Sequence, residues 1–271
     1  MFHGTVTSAD GTPIAYTAWG EGDPIVIVDG ATAYRATTPE DAATAELLAG
    51  RFRVISYDRR GRGESGDTAP YAVAREIEDL EAIIAGPGGG APATVFAWSS
   101  GGFLALNAVQ SGAPIGRLAL FEPPAVVDDS RPPLPPDYVE RLDAAIAAGR
   151  PGDAAELFLT AAVLMPEEFV AGIRASDMWP GMEAIAPTIS YDGRNVGEAM
   201  SGRPLSTQRW NRVRIPVLVL YGEHTWPYLA AGARAVADLL PTGALRAVPG
   251  ESHSTTADVL APVLRAFVEE G

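Results

Sequence analysis

Ala97-Trp98-Ser99-Ser100-Gly101-Gly102 sets two adjacent serines among small residues, at the end of the apolar run Thr94–Trp98. A strand that turns sharply into a helix would expose one of them as a nucleophile. Such a turn crowds the residues two before and two after the nucleophile, so both must be small. Centred on Ser99, those residues are Ala97 and Gly101; centred on Ser100, bulky Trp98 takes one of the places. Ser99 is therefore the candidate nucleophile. The helix-like stretch Ser100–Ser111 that follows would aim its N-terminal dipole at a developing anion. Taken alone, the pattern also describes a serine that caps a helix.

A serine hydroxyl needs a base to take its proton. The chain offers three histidines, His3, His224 and His253. His3 belongs to an N-terminus expected to fray. His224 lies in Tyr221-Gly-Glu-His-Thr-Trp226 at a strand end and is the rival. His253 follows the last apolar run and precedes the last helix-like stretch, and is the leading candidate. Other chemistries are closed off. With no cysteine there is no thiol nucleophile, disulfide or thiolate metal site. With no lysine there is no Schiff base, pyridoxal phosphate anchor or Ser-Lys dyad, since all 20 basic residues are arginine. Gly86-Pro-Gly-Gly-Gly90 lacks the Gly-Lys-Ser/Thr of a phosphate loop. No metal cluster and no nucleotide fingerprint is visible, so no cofactor is implied.

The net charge of −14 speaks against nucleic acid and anionic membranes as partners. No apolar run approaches the ~18–20 residues of a membrane span. Met1-Phe-His-Gly-Thr5 has neither a basic segment nor an apolar one behind it. No signal peptide is expected there, and a cytoplasmic location is.

These residues need a scaffold. Asp10-Gly11 before Ile14–Ala18 signals an opening hairpin. Continuous apolar runs follow at Pro24–Val28, Val54–Tyr57, Thr94–Trp98, Leu118–Phe121, Val217–Tyr221 and Leu245–Val248. Runs apolar on both faces suit buried parallel strands. Helix-like stretches alternate with them: Thr38–Ala49, Tyr71–Ala85, Ser100–Ser111 and Thr255–Glu270. The alternation predicts an α/β fold with a parallel sheet. It breaks over residues 123–205, where a proline-rich entry leads into short helical patterns without a strand. This reads as a helical cap inserted into a core made of residues 1–122 and 206–271.

Four segments together resemble the α/β-hydrolase superfamily, in order and spacing, over nearly the whole chain. Val26-Ile-Val-Asp-Gly30-Ala31 is similar to the oxyanion-loop segment after the third strand. Ser56-Tyr-Asp58-Arg59-Arg60-Gly61-Arg62-Gly63-Glu64-Ser65 is similar to the "YDxRGxGxS" turn. Ala97–Gly101 matches the nucleophile elbow, and Gly250-Glu-Ser-His253 the histidine loop. The resemblance implies a mostly parallel eight-stranded sheet flanked by helices, with an inserted cap. It also implies oxyanion donors from the Ala31 and Ser100 N–H groups.

Three positions depart from the family pattern. Asp29 stands where a histidine is usual. It is expected to point away from the oxyanion, toward Arg35 or Arg59. Trp98 replaces the histidine common before the nucleophile and is expected to pack structurally. Thr225 occupies the usual aspartate position after the seventh strand, and threonine cannot support an imidazolium. Two carboxylates could replace it. Glu122, in Phe121-Glu-Pro-Pro124, is at the end of the sixth strand, the position that some members use. Glu223 is in the usual loop. Glu122 is preferred because α/β sites collect at strand carboxyl ends, and a site without a true acid is the third reading.

The resulting expectation is a serine hydrolase of carboxylic esters or lactones, acting through a Ser99-His253-Glu122 triad and an acyl-enzyme. The alternative is a non-hydrolytic cyclase or lyase of the same fold acting on a natural-product intermediate. The cap's large apolar residues, among them Phe158, Met165, Phe169 and Trp179, suggest a medium-sized, mostly apolar small-molecule substrate.

Overall fold

The computed structural model describes residues 1–270. Eight strands form one sheet in the order β1-β2-β4-β3-β5-β6-β7-β8. The opening hairpin joins β1 (Phe2–Thr7) to β2 (Pro13–Trp19), closed by the Ser8 N–H to the Thr12 carbonyl at 2.8 Å. β2 runs antiparallel to both neighbours. β3 (Asp23–Val28), β4 (Phe52–Tyr57), β5 (Ala93–Trp98), β6 (Ile115–Phe121), β7 (Val217–His224) and β8 (Gly243–Glu251) are mutually parallel.

The apolar runs are continuous because each strand feeds two cores. In β3, Val26 and Val28 face the core shared with α2 (Val73–Ala85), α3 (Gly101–Ser111) and α9 (Pro227–Leu239). Ile25 and Ile27 face the one shared with α1 (Pro39–Leu48) and α10 (Ala257–Glu269). Period-two alternation across a sheet covered on both sides requires apolar residues at every position.

Between β6 and β7 the chain forms only helices and turns: α4 (Tyr138–Ala147), α5 (Pro151–Leu157), α6 (Glu167–Arg174), α7 (Trp179–Ile185) and α8 (Ile189–Val196). Tyr138, Leu142, Leu159, Trp179 and Ile189 give this layer a core of its own. Element ends shift by a few residues from the sequence expectation. The last helix begins at Ala257 rather than Thr255, because Thr256 is extended and serves as its N-cap. His3 does not fray: it lies in β1, with Nδ1 2.9 Å from Thr17 Oγ1.

Candidate active site

β5 ends at Trp98, α3 begins at Gly101, and Ser99 occupies the turn with φ of +50°. Its N–H donates to the Phe121 carbonyl at 2.8 Å, and its carbonyl accepts from the Gly102 N–H at 2.9 Å. The turn is pressed against the end of β3. A Cβ at Gly101 would lie 2.5 Å from the Asp29 carbonyl oxygen and 2.7 Å from that of Val28. A Cβ at Gly30 would lie 2.9 Å from the Ser99 Cβ. Both glycines are thus dictated by close approach.

Glu122 follows β6 and is fully buried. Its Oε1 accepts the Gly222 N–H at 2.8 Å, and its Oε2 lies 2.5 Å from His253 Nδ1. The His253 side chain is 27% exposed and borders the same cavity as Ser99. Glu223 and His224, by contrast, stand exposed at the end of β7. Ser99, Glu122 and His253 share a further trait. They are three of the six non-glycine residues with positive φ among those described, at +50°, +47° and +68°. Such backbone costs ~1–3 kcal/mol per residue and concentrates at functional sites.

The Ala31 and Ser100 residues border the cavity, and neither N–H donates to another protein group among the described residues. Two amides left free beside a serine hydroxyl can bind a developing oxyanion. The Gly30 carbonyl, on the peptide that carries the Ala31 N–H, accepts Arg62 Nη1 at 2.6 Å. That bond orients and polarises the peptide.

Arg62 belongs to a buried ion network. Asp192, on α8, pairs with Arg62 Nη2 and, at 2.6 Å, with Arg59 Nη1; it also accepts the Ser100 hydroxyl at 2.8 Å. Arg59 makes a two-pronged bond to Glu76 at 2.7 and 2.9 Å. Burial works toward protonating Asp192, but Arg59 and Arg62 outweigh it and hold its carboxyl below the ordinary range. Glu76 is lowered likewise, against burial, chiefly by Arg59. The sequence reading missed Asp192. The signal for it was Arg59-Arg60-Gly61-Arg62 after a buried strand, since three guanidinium groups there demand carboxylates from elsewhere.

Asp29 corrects an expectation. Its carboxyl reaches neither Arg35, which pairs with Asp58 and Glu64, nor Arg59, which meets only its backbone carbonyl at 3.2 Å. It lies instead near Asp41 on α1, with Thr38 Oγ1 3.5 Å from its Oδ2, and borders the cavity. Burial, then the neighbouring Asp41 charge, hold Asp29 well above the usual carboxylate range. Trp98 packs against Phe96 and Phe121 with ring centroids 5.0 and 4.7 Å away. Its Nε1–H donates to Asp41 Oδ1 at 2.9 Å, a polar role that packing alone did not suggest.

The cavity over Ser99 has a volume of about 700 Å³. Its walls come from the inserted helices and from α9, with Tyr138, Phe158, Ile189, Met200 and Leu229 among them. Among the described residues there is no metal-binding cluster of histidine and carboxylate side chains, and no helix long and apolar enough to cross a membrane.

Comparison with known proteins agrees with this architecture. The profile of the Alpha/beta hydrolase family matches residues 11–265. The chain is 28% identical to a non-heme chloroperoxidase of Streptomyces lividans, over 98% of this chain and 99% of that one. It is 26% identical to a bifunctional esterase/perhydrolase of Acinetobacter calcoaceticus, over 98% and 99%. Among solved structures, an alpha/beta hydrolase from Sphaerobacter thermophilus superposes with a TM-score of 0.86 at 49% identity, covering 98% of this chain and all of that one.

Proposed function

Since the chain belongs to the alpha/beta hydrolase family, we propose that it hydrolyses carboxylic esters or lactones through an acyl-enzyme on Ser99. The reading is carried by the 2.5 Å contact between buried Glu122 and His253 Nδ1, with His253 bordering the same cavity as Ser99. In this mechanism Ser99 Oγ attacks the carbonyl carbon while His253 Nε2 takes its proton. Glu122 fixes the Nδ1–H tautomer and stabilises the imidazolium. The Ala31 and Ser100 N–H groups hold the tetrahedral oxyanion. Collapse expels the alcohol, which leaves with the proton from His253. Water, deprotonated by the same ring, then attacks the acyl-enzyme and regenerates Ser99.

The cavity walls favour an uncharged, medium-sized and mostly apolar substrate. Asp29, Glu40, Asp41, Asp192 and Glu251 border the cavity and no arginine does, so an anionic group would find no counter-charge there. The helices of residues 123–205 act in this reading as the cap that sets specificity.

The test is pre-steady-state hydrolysis of p-nitrophenyl butyrate. Wild type should release a burst of about one equivalent, and Ser99→Ala should lose it. Glu122→Gln should lower kcat by about 10³–10⁴-fold at little cost in stability, with Glu223→Gln near wild type. A wild type without a burst, indistinguishable from Ser99→Ala, would overturn the reading.

A further inference from the structure

Thr188, the N-cap of α8, and Asp192 and Asn195 within it are spaced four and three residues apart and so lie along one face of that helix. All three are buried. Thr188 Oγ1 accepts Arg62 Nε–H at 3.1 Å, and Asn195 Nδ2 donates to Glu76 Oε2 at 2.8 Å. Asp192, between them, has both carboxylate oxygens engaged by the sheet layer. Its Oδ1 accepts the Ser100 hydroxyl at 2.8 Å and Arg59 Nη1 at 2.6 Å, and its Oδ2 accepts Arg62 Nη2. Withdrawing this carboxylate would strand two buried guanidinium groups, so the arrangement has little freedom to relax.

These partners lie in, or lead directly to, the two backbone segments beside Ser99. Ser100 is the N-cap of α3, and its hydroxyl ties that residue to α8. Arg62 carries the grip across to the other segment: its Nη1 donates to the Gly30 carbonyl at 2.6 Å and to the Ala33 carbonyl at 3.3 Å. Arg59 Nη1 also reaches the Asp29 carbonyl, at 3.2 Å. A trans peptide is planar, with its C=O and N–H pointing opposite ways. Holding the Gly30 carbonyl therefore turns the Ala31 N–H away from Arg62 and fixes its direction.

We propose that Asp192 is a positioning residue for acyl transfer: from the helices inserted between β6 and β7, it fixes both oxyanion donors, Ser100 directly and Ala31 through Arg62. The inserted layer then does more than bound the substrate. The oxyanion site is complete only while α8 is docked on the sheet. This role rests on the ester hydrolase reading.

The test compares wild type, Asp192→Asn, Arg62→Lys and Ser100→Ala on p-nitrophenyl butyrate and on its thionoester, in which sulfur replaces the carbonyl oxygen. Sulfur is larger and accepts hydrogen bonds poorly, so aimed N–H donors favour the oxygen ester. The ratio of the two kcat/KM values thus reads the aim of the donors, whereas loss of folded protein lowers both rates alike and leaves the ratio unchanged. Asp192→Asn should lower kcat/KM on the oxygen ester about tenfold or more and shrink the preference for that ester by about the same factor. Arg62→Lys, which keeps the charge but cannot bridge the carboxylate and the Gly30 carbonyl with a fixed fork, should behave likewise. Ser100→Ala removes only the hydroxyl tether and no buried charge, and should shrink the preference about threefold. A wild-type ratio in Asp192→Asn or, should that variant not fold, in Ser100→Ala overturns the proposal while leaving the ester reading intact. A wild type that shows no acyl burst overturns the ester reading, and this role with it.

Discussion

Two acidic clusters flank the loop that follows β3, and they behave oppositely. Asp192 and Glu76 are buried among guanidinium groups, and both carboxyls are held below their ordinary range. Asp29 and Asp41 are buried as deeply, without such a partner, and both are raised. Depth of burial therefore does not separate these two pairs; the arginines that surround one and not the other do. One cluster is an ion network that fastens α8 to the sheet; the other has no cation in hydrogen-bond reach, and burial pushes its carboxyls up.

The contrast is most severely tested by Arg59→Met, which removes the charge shared by Glu76 and Asp192 and keeps the volume. Urea unfolding should show a loss of ~3–5 kcal/mol, the cost of leaving buried carboxylates unpaired. Asp29→Asn, which mimics the protonated acid, should show no comparable loss at neutral pH; equal losses at the two sites would erase the distinction. Next comes Ser100→Ala, which deletes a donor to Asp192 at the elbow itself and should cost ~1.5–3 kcal/mol. A cost near zero would mean that the two arginines satisfy Asp192 alone.

The pH dependence sharpens the comparison through its sign. The stabilisation from Asp192 and Glu76 is present above the ordinary carboxylate value of ~4 and is lost as pH falls through their lowered folded values. Asp29 works the other way. Above ~pH 4 the unfolded chain releases the Asp29 proton while the folded chain keeps it. Wild type should then lose ~1.4 kcal/mol per pH unit relative to Asp29→Asn, up to the raised folded value. Denaturation of both proteins at several pH values measures the slope. A gap independent of pH would contradict the raised Asp29. The smallest effect belongs to Arg51→Ala at the exposed pair with Glu269, whose side chains are 69% and 41% accessible. It should cost no more than ~1 kcal/mol and shrink with added salt.

Much of the sheet is legible in the sequence because a doubly covered strand must be apolar at every position, as Ile25–Val28 are. The meeting of Ser99, Glu122 and His253 is legible for a related reason: each sits at the carboxyl end of a strand, and a parallel sheet collects those ends. The acidic clusters are not legible in the same way. Asp192 comes from a helix 133 residues beyond Arg59, and no local pattern says where that helix docks. The expected partner of Asp29 was misplaced because Arg35 and Arg59 carry no mark of prior engagement with Asp58, Glu64, Glu76 and Asp192.

On the proposed mechanism, the left-handed backbone at Ser99, Glu122 and His253 sets chemistry at odds with endurance. Glycine at any of the three would relieve torsion that serine, glutamate and histidine resist. A population of variants screened for heat resistance alone would therefore be drawn toward losing these side chains. Only a screen that also demands turnover would hold the chain at its present, less restful conformation.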